Sequence, residues 1–230
     1  MRPQTHPLSQ SPDPARRALL RAIPAASAVA AVAAAVALAA RSAGAQAPQP
    51  RVTVIARGLD HPWSLAFLPD GRTLVTERRG QLRVVQPDGR MSAPLAGVPP
   101  VFARGQGGLL DVAIGPGFAS DRSVFLSYAE RTDDGARTAV ARAEFVDDAV
   151  PALRDARTIF AQRPAVSGGN HFGSRLVFAR DGTLFVTLGD RFTQRDRAQT
   201  LDNHLGKIVR IRADGSVPPD NPFVDKPGAL

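Results

Sequence analysis

A histidine and an aspartate lie on either side of a predicted β-hairpin, where together they could act as a base. Two apolar runs, 176–179 and 184–188, flank the turn Arg180-Asp181-Gly182. An Asp-Gly pair between such runs is a strong hairpin signal, because glycine adopts a positive φ without strain. His171 precedes the first run and Asp190 follows the second, so the hairpin should bring them to one end of a sheet. A carboxylate there would fix the histidine tautomer and orient its ring, as a general base requires.

The same pattern of apolar strand, turn and strand occurs twice earlier in the chain. The turn glycines of the three units are Gly71, Gly117 and Gly182. Eleven residues before these glycines lie three polar residues: Asp60, Gln106 and His171. A self-similar four-stranded unit recurs roughly every 45–65 residues. Such a repeat predicts a β-propeller, in which each blade is an antiparallel meander. The first strand of each blade lines the central channel, so the three side chains should face one polar, ligand-binding cavity.

Simpler interpretations of these residues stay open at this point. His171 could cap a strand, and Asp190 could begin a turn. Asp60 is better explained as a residue that satisfies backbone groups at a strand end.

The chain beyond residue 45 reads as all-β. Short runs rich in Val, Leu, Phe and Thr recur between Gly and Pro turn signals, and no convincing helical period is found. The predicted strands include an edge-like run at 52–55 and further runs at 73–77, 81–85, 124–128, 138–145 and 206–212. We therefore predict an all-β fold with about three propeller blades in this chain.

Residues 1–45 are predicted to be a cleaved signal peptide. A basic region containing Arg16, Arg17 and Arg21 precedes an Ala/Val-rich stretch, and Ala43-Gly44-Ala45 forms a small-x-small cleavage site. The arginine pair resembles a twin-arginine export signal, and the export route stays open. The stretch is too poor in strongly apolar residues for a membrane span. We expect a periplasmic or secreted protein with a linker and edge strand at 46–57 and a partial propeller at 58–230.

Charge and cysteine content exclude several functions. Five Arg and one Asp lie in residues 1–45, so the formal net charge of +8 falls to +4 when they are removed. The remaining arginines are scattered and form no basic stripe with interleaved aromatics, so nucleic-acid binding is not expected. The chain has no cysteine, which excludes disulfides, thiol catalysis and thiolate metal sites.

Several ordered motifs resemble the glucose/sorbosone dehydrogenases, and among them the soluble aldose sugar dehydrogenases. The motifs are Gly105-Gln106-Gly107-Gly108-Leu109-Leu110-Asp111, Asn170-His171-Phe172-Gly173-Ser174-Arg175-Leu176, Ala198-Gln199, Gly206-Lys207-Ile208-Val209-Arg210-Ile211 and Pro219-Asp220-Asn221-Pro222-Phe223. The resemblance implies an exported, six-bladed propeller that uses pyrroloquinoline quinone (PQQ) and calcium. It further implies oxidation of aldose sugars at the anomeric carbon to lactones, with hydride transfer to the quinone and an unknown electron acceptor.

The resemblance also implies roles for three residues. His171 matches the catalytic base and a cofactor contact, Asp190 matches the carboxylate that orients it, and Gln106 matches an amide that contacts the cofactor. Asn170 stands where glucose-specialised members carry an acid, which leaves the preferred sugar open. The calcium ligands of the family are expected beyond Leu230, so no metal ligand is predicted here and the chain alone is expected to be inactive.

Two other functions are compatible with a propeller of this kind. A calcium-dependent lactonase would need oxygen ligands converging on the channel, for which Gln106 and His171 are a poor start. A non-enzymatic periplasmic binding protein would show no redox activity with added quinone.

Overall fold

In the computed structural model, which describes residues 50–230, nearly all regular structure is β. The strands form three antiparallel sheets, here called blades 1, 2 and 3. Blade 1 consists of β1 (Pro62–Phe67), β2 (Thr73–Glu77) and β3 (Gln81–Val85). Blade 2 consists of β4 (Leu109–Ile114), β5 (Ser123–Thr132), β6 (Gly135–Val146) and β7 (Ala152–Ala161). Blade 3 consists of β8 (Gly173–Phe178), β9 (Leu184–Leu188) and β10 (Ile208–Ile211).

Helices are short in this part of the chain. They are α1 (Phe118–Asp121) and a 3₁₀ helix (Arg195–Gln199). No helix within residues 50–230 has the length and apolar character that crossing a membrane requires. The signal peptide predicted for residues 1–45 lies outside the described residues and stays a prediction, as does the cleavage site.

The predicted strands 73–77, 81–85 and 184–188 coincide with β2, β3 and β9. The turn between β8 and β9 closes as the Asp-Gly signal requires, because Gly182 has φ +80° and its N–H donates to Ala179 O at 3.0 Å. Each blade is a meander; a short turn joins the first two strands of blades 1 and 3, whereas α1 lies between β4 and β5 in blade 2.

Three details of the sequence prediction differ from the structure: among the described residues blades 1 and 3 have three strands and not four, one predicted strand is absent, and one observed strand was not located. Residues 52–55 form no strand, and their apolar side chains are exposed. An apolar run becomes a strand only where a neighbouring edge accepts its backbone hydrogen bonds, and this run pairs with none of the described strands. The fourth strand of blade 2, β7, was not predicted, because its Arg154, Asp155 and Arg157 interrupt the apolar pattern on an exposed edge.

Blade 2 is packed between the other two blades. In β5, Val124, Leu126 and Tyr128 contribute to the core shared with blade 1, whereas Phe125 contributes to the core shared with blade 3. This division follows from the two-residue period of a strand, which sends alternate side chains to opposite faces. Full burial of each such apolar side chain stabilises the fold by about 1.5–3 kcal/mol.

Two buried hydroxyls connect neighbouring blades at equivalent positions. Thr76 of β2 donates to Leu110 O of blade 2 at 2.7 Å, and Ser127 of β5 donates to Ser174 O of blade 3 at 2.6 Å. Each hydroxyl also accepts an N–H from the first strand of its own blade, at 3.0 and 2.9 Å. The first strands β1, β4 and β8 are thus held side by side, which positions the residues at their leading ends.

A buried carboxylate joins the same three strands. Asp111 of β4, whose side chain is 3% exposed, accepts hydrogen bonds from Ser64 Oγ, Arg175 Nη1 (2.9 Å), Leu176 N (2.7 Å) and Val112 N (3.0 Å). Both carboxylate oxygens therefore have partners, and together these partners come from all three blades. We refer to these residues as the Asp111 node.

Candidate active site

The β8–β9 hairpin brings His171 and Asp190 together. Gly173 pairs with Leu188 at the open end of the hairpin, and the two residues lie just beyond this pair. His171 Nδ1 lies 2.7 Å from Asp190 Oδ1. The two side chains are 44% and 29% exposed, respectively, so the pair is reachable from solvent.

The hydrogen bond assigns the tautomer of the neutral imidazole. The pKa of Asp190 is lowered chiefly by its hydrogen bond with His171, with a further contribution from the N–H of Phe192, which donates to the same oxygen at 2.8 Å. Since the carboxylate is ionised at neutral pH, it accepts a hydrogen bond from Nδ1–H, which in the neutral imidazole leaves a lone pair on Nε2. Nε2 has no hydrogen-bond partner among residues 50–230, so it is free to accept a proton.

Gln106 holds the backbone of the histidine. Its Oε1 accepts the N–H of His171 at 2.8 Å, and its own N–H donates to Gly169 O at 2.7 Å. The side-chain nitrogen of Gln106, Nε2, has no hydrogen-bond partner in the described part of the chain, and this side chain is exposed. The structure thus brings Gln106 to the predicted base.

Asp60 does not join this group. Its carboxylate pairs with His61 and, at 3.0 Å, with Arg79 Nε, and its N–H donates to Glu77 Oε1 at 2.6 Å. The hydrogen bond with His61 is the main reason why the pKa of Asp60 is lowered. The carboxylate thus binds neighbouring side chains of its own blade, and not the loose backbone groups that the sequence suggested.

Two residues of the site, Arg191 and Phe192, were not anticipated. They follow Asp190 directly and have φ values of +55° and +68°, and His171 itself has φ +50°. A left-handed conformation costs a non-glycine residue on the order of 1–2 kcal/mol, and such strain concentrates at functional sites. Phe192 is exposed and its ring stands edge-on to the His171 ring, with 5.3 Å between centroids. The short motif around Asp190 carries no local signal for this conformation.

Solved structures define the class of protein. An apo aldose sugar dehydrogenase from Escherichia coli matches with a TM-score of 0.75 and 49% identity, over 78% of this chain and 52% of that chain. A PQQ-bound aldose sugar dehydrogenase from Streptomyces coelicolor matches with a TM-score of 0.67 and 32% identity, over the same shares of the two chains. The three stacked blades are therefore those of a β-propeller, and the predicted fold class is confirmed.

The family follows from the sequence. The family model described as glucose/sorbosone dehydrogenase matches residues 59–230. The aldose sugar dehydrogenase of Escherichia coli is 52% identical over 180 residues, which cover 77% of this chain and 48% of that protein. The chain belongs to the glucose/sorbosone dehydrogenase family, and it spans about half the length of the curated relatives it matches.

Proposed function

We propose that this chain supplies the proton-accepting part of a sugar dehydrogenase that oxidises aldoses at the anomeric carbon to lactones, with PQQ as cofactor. The observation that carries this proposal is the free Nε2 of His171, whose Nδ1 is held by the ionised Asp190. The similarity to aldose sugar dehydrogenases, one of them PQQ-bound, supports it.

The polar groups at the site suit a quinone cofactor. When bound, PQQ supplies an acceptor for the hydride that leaves the sugar carbon. Quinone carbonyl oxygens accept hydrogen bonds, and the amide nitrogen of Gln106 is an exposed donor beside His171. Gln106 and His171 are therefore the residues of this chain that we assign to holding it.

The histidine lowers the barrier by removing a proton. Oxidation of the anomeric carbon takes a proton from its hydroxyl and a hydride from the carbon. His171 Nε2 accepts the proton, and the hydride leaves more readily from a carbon that carries a developing alkoxide. Asp190 holds the ring in the reactive orientation and stabilises the imidazolium that forms.

Calcium is part of the proposal only through the family. Within residues 50–230, no group of three or more His, Asp or Glu side chains could hold a metal ion. We therefore assign no residue of this chain to calcium and no step to the metal. Export to the periplasm or outside the cell, and an unidentified electron acceptor, complete the proposal.

Reconstitution tests the proposed activity. The full-length protein is incubated with PQQ and calcium, and aldose-dependent reduction of a redox dye is followed together with lactone formation. We expect dye reduction only when both PQQ and an aldose are present. Hydrolysis of added lactones without dye reduction would identify a lactonase, and sugar binding without turnover would identify a binding protein.

A further inference from the structure

Arg191 is the largest buried side chain of the described residues, and it follows Asp190 directly in the chain. The residue is 2% exposed. Its three guanidinium nitrogens donate to three backbone carbonyls: Nε to Asn170 O (2.9 Å), Nη1 to Ala136 O (2.5 Å) and Nη2 to Gly168 O (2.7 Å). The guanidinium also stacks on the ring of Phe172, with its carbon 3.8 Å from the ring centroid.

No carboxylate pairs with Arg191 within residues 50–230. Burial lowers the pKa of its guanidinium to about 10, so the group is still charged at neutral pH. Burying a charge without a counterion is costly, and three carbonyl dipoles and the face of the Phe172 ring compensate it here. An apolar side chain could fill the same space at lower cost. Space filling therefore does not explain why a guanidinium with three hydrogen bonds is buried here.

The contacts of Arg191 converge on the residues next to His171. Two of its carbonyl partners precede the histidine by one and three residues, and its own N–H donates to His171 O at 3.2 Å. Gln106 accepts the N–H of His171 and donates to Gly169 O from the other side. The histidine segment is thus held between Gln106 and Arg191, and His171 keeps a strained φ of +50°.

We propose that Arg191 is a positioning residue that fixes the backbone of residues 168–171 and thereby aims the His171 ring at Asp190 and at the substrate. This inference rests on the proposed function. A lysine could not take over the role, because one ammonium group cannot match the planar fork that reaches three separate carbonyls.

The variants Arg191→Lys and Arg191→Met test this role against a purely structural one. Arg142→Met is the matched control. Arg142 also lies over a phenylalanine ring, 5.9 Å from the centroid of Phe125, but the hydroxyl that accepts its hydrogen bonds belongs to blade 2 and is distant from His171 in the chain. For each protein we would measure the melting temperature, the NMR signal of the hydrogen-bonded His171 Nδ1–H, and the exchange rate of the His171 backbone amide.

We expect Arg191→Lys to fold, to lose the sharp Nδ1–H signal, and to exchange the His171 amide at least about 10-fold faster, as local opening replaces a fixed segment. In the reconstituted enzyme, kcat should fall roughly 10–100-fold while the KM for the aldose changes little. Arg142→Met should lower the melting temperature and leave the His171 signals unchanged.

Unchanged His171 signals in a folded Arg191 variant would overturn the proposal, even if the melting temperature fell. Failure of both variants to fold would also overturn it, because Arg191 would then act on folding as a whole. If the wild-type enzyme oxidises no aldose, the proposed function fails, but the NMR and exchange measurements still decide the role of Arg191.

Discussion

Two aspartates of this chain each bind a basic side chain, and their surroundings give them opposite roles. Asp111 is buried among three strands and accepts four hydrogen bonds, so both of its oxygens are committed to the fold. Asp190 lies at the open end of a hairpin, and its partner His171 keeps one nitrogen free. Burial and complete satisfaction favour a structural role, whereas partial exposure leaves a group able to react.

Two histidines repeat this contrast. His204 is buried, its Nδ1 accepts the N–H of Arg163 at 3.0 Å, and its ring lies against Phe160. His171 is nearly half exposed and has a carboxylate in place of a backbone donor. Residue type alone therefore identifies neither the base nor its partner, and the environment of each ring decides.

The largest effect is expected at the exposed pair. His171→Ala removes the base and should lower turnover by roughly 10²–10⁴-fold, or about 3–5 kcal/mol of barrier. PQQ should still bind, because His171 is only one of the groups assigned to holding it, and the melting temperature should change little. Turnover, PQQ affinity and melting temperature are measured on one preparation, and near-normal turnover with bound PQQ would contradict the catalytic assignment.

A change at the Asp111 node should lower the stability of the fold more than it affects the chemistry at the His171–Asp190 pair. In Asp111→Asn, an NH2 donor replaces one carboxylate oxygen and faces groups that themselves donate hydrogen bonds. The free energy of unfolding should therefore fall by about 2–4 kcal/mol. Urea unfolding at neutral pH measures the change. A variant as stable as the wild type would show that the node does not hold the blades together.

The sequence predicted the local part of this arrangement well. Alternating apolar residues and Asp-Gly turns located β2, β3 and β9, and symmetry about the Gly182 turn located His171 opposite Asp190. These features depend on residues close in the chain. The same reasoning could not find the partners of Asp111 or Arg191, because they are up to 65 and 55 residues away and depend on how the blades stack.

The buried histidine should make stability depend on pH. The pKa of His204 is lowered from 6.5 to about 4, first by burial and then by Arg163 and Lys207. The unfolded chain therefore binds a proton between pH 6.5 and 4 that the folded chain does not. The contribution of this shift to the free energy of unfolding is fully present above pH 6.5. It is lost as the pH falls through 4, and the total loss is about 3 kcal/mol.

Urea unfolding of wild type and His204→Asn across pH 4–7 isolates this contribution. Asparagine offers an oxygen to the Arg163 N–H and does not titrate, so its stability should fall less steeply with acidification than that of the wild type. Equal slopes for the two proteins would contradict the assignment. The exposed His61→Gln serves as a control that removes a histidine outside the core.

The smallest expected effect, and the sharpest test of the comparison, is Asp190→Asn. The asparagine oxygen can still accept from both His171 Nδ1 and the Phe192 N–H, because both now bind the same oxygen, Oδ1. What is lost is the negative charge that stabilises the imidazolium, and turnover should fall roughly 10–100-fold, less than in His171→Ala. Since the side chain is partly exposed, unfolding free energy should change by less than about 1 kcal/mol, in contrast to Asp111→Asn. If Asp190→Asn instead destabilised the fold as strongly as Asp111→Asn and left turnover per folded molecule intact, both carboxylates would be structural and the contrast between the two regions would be wrong.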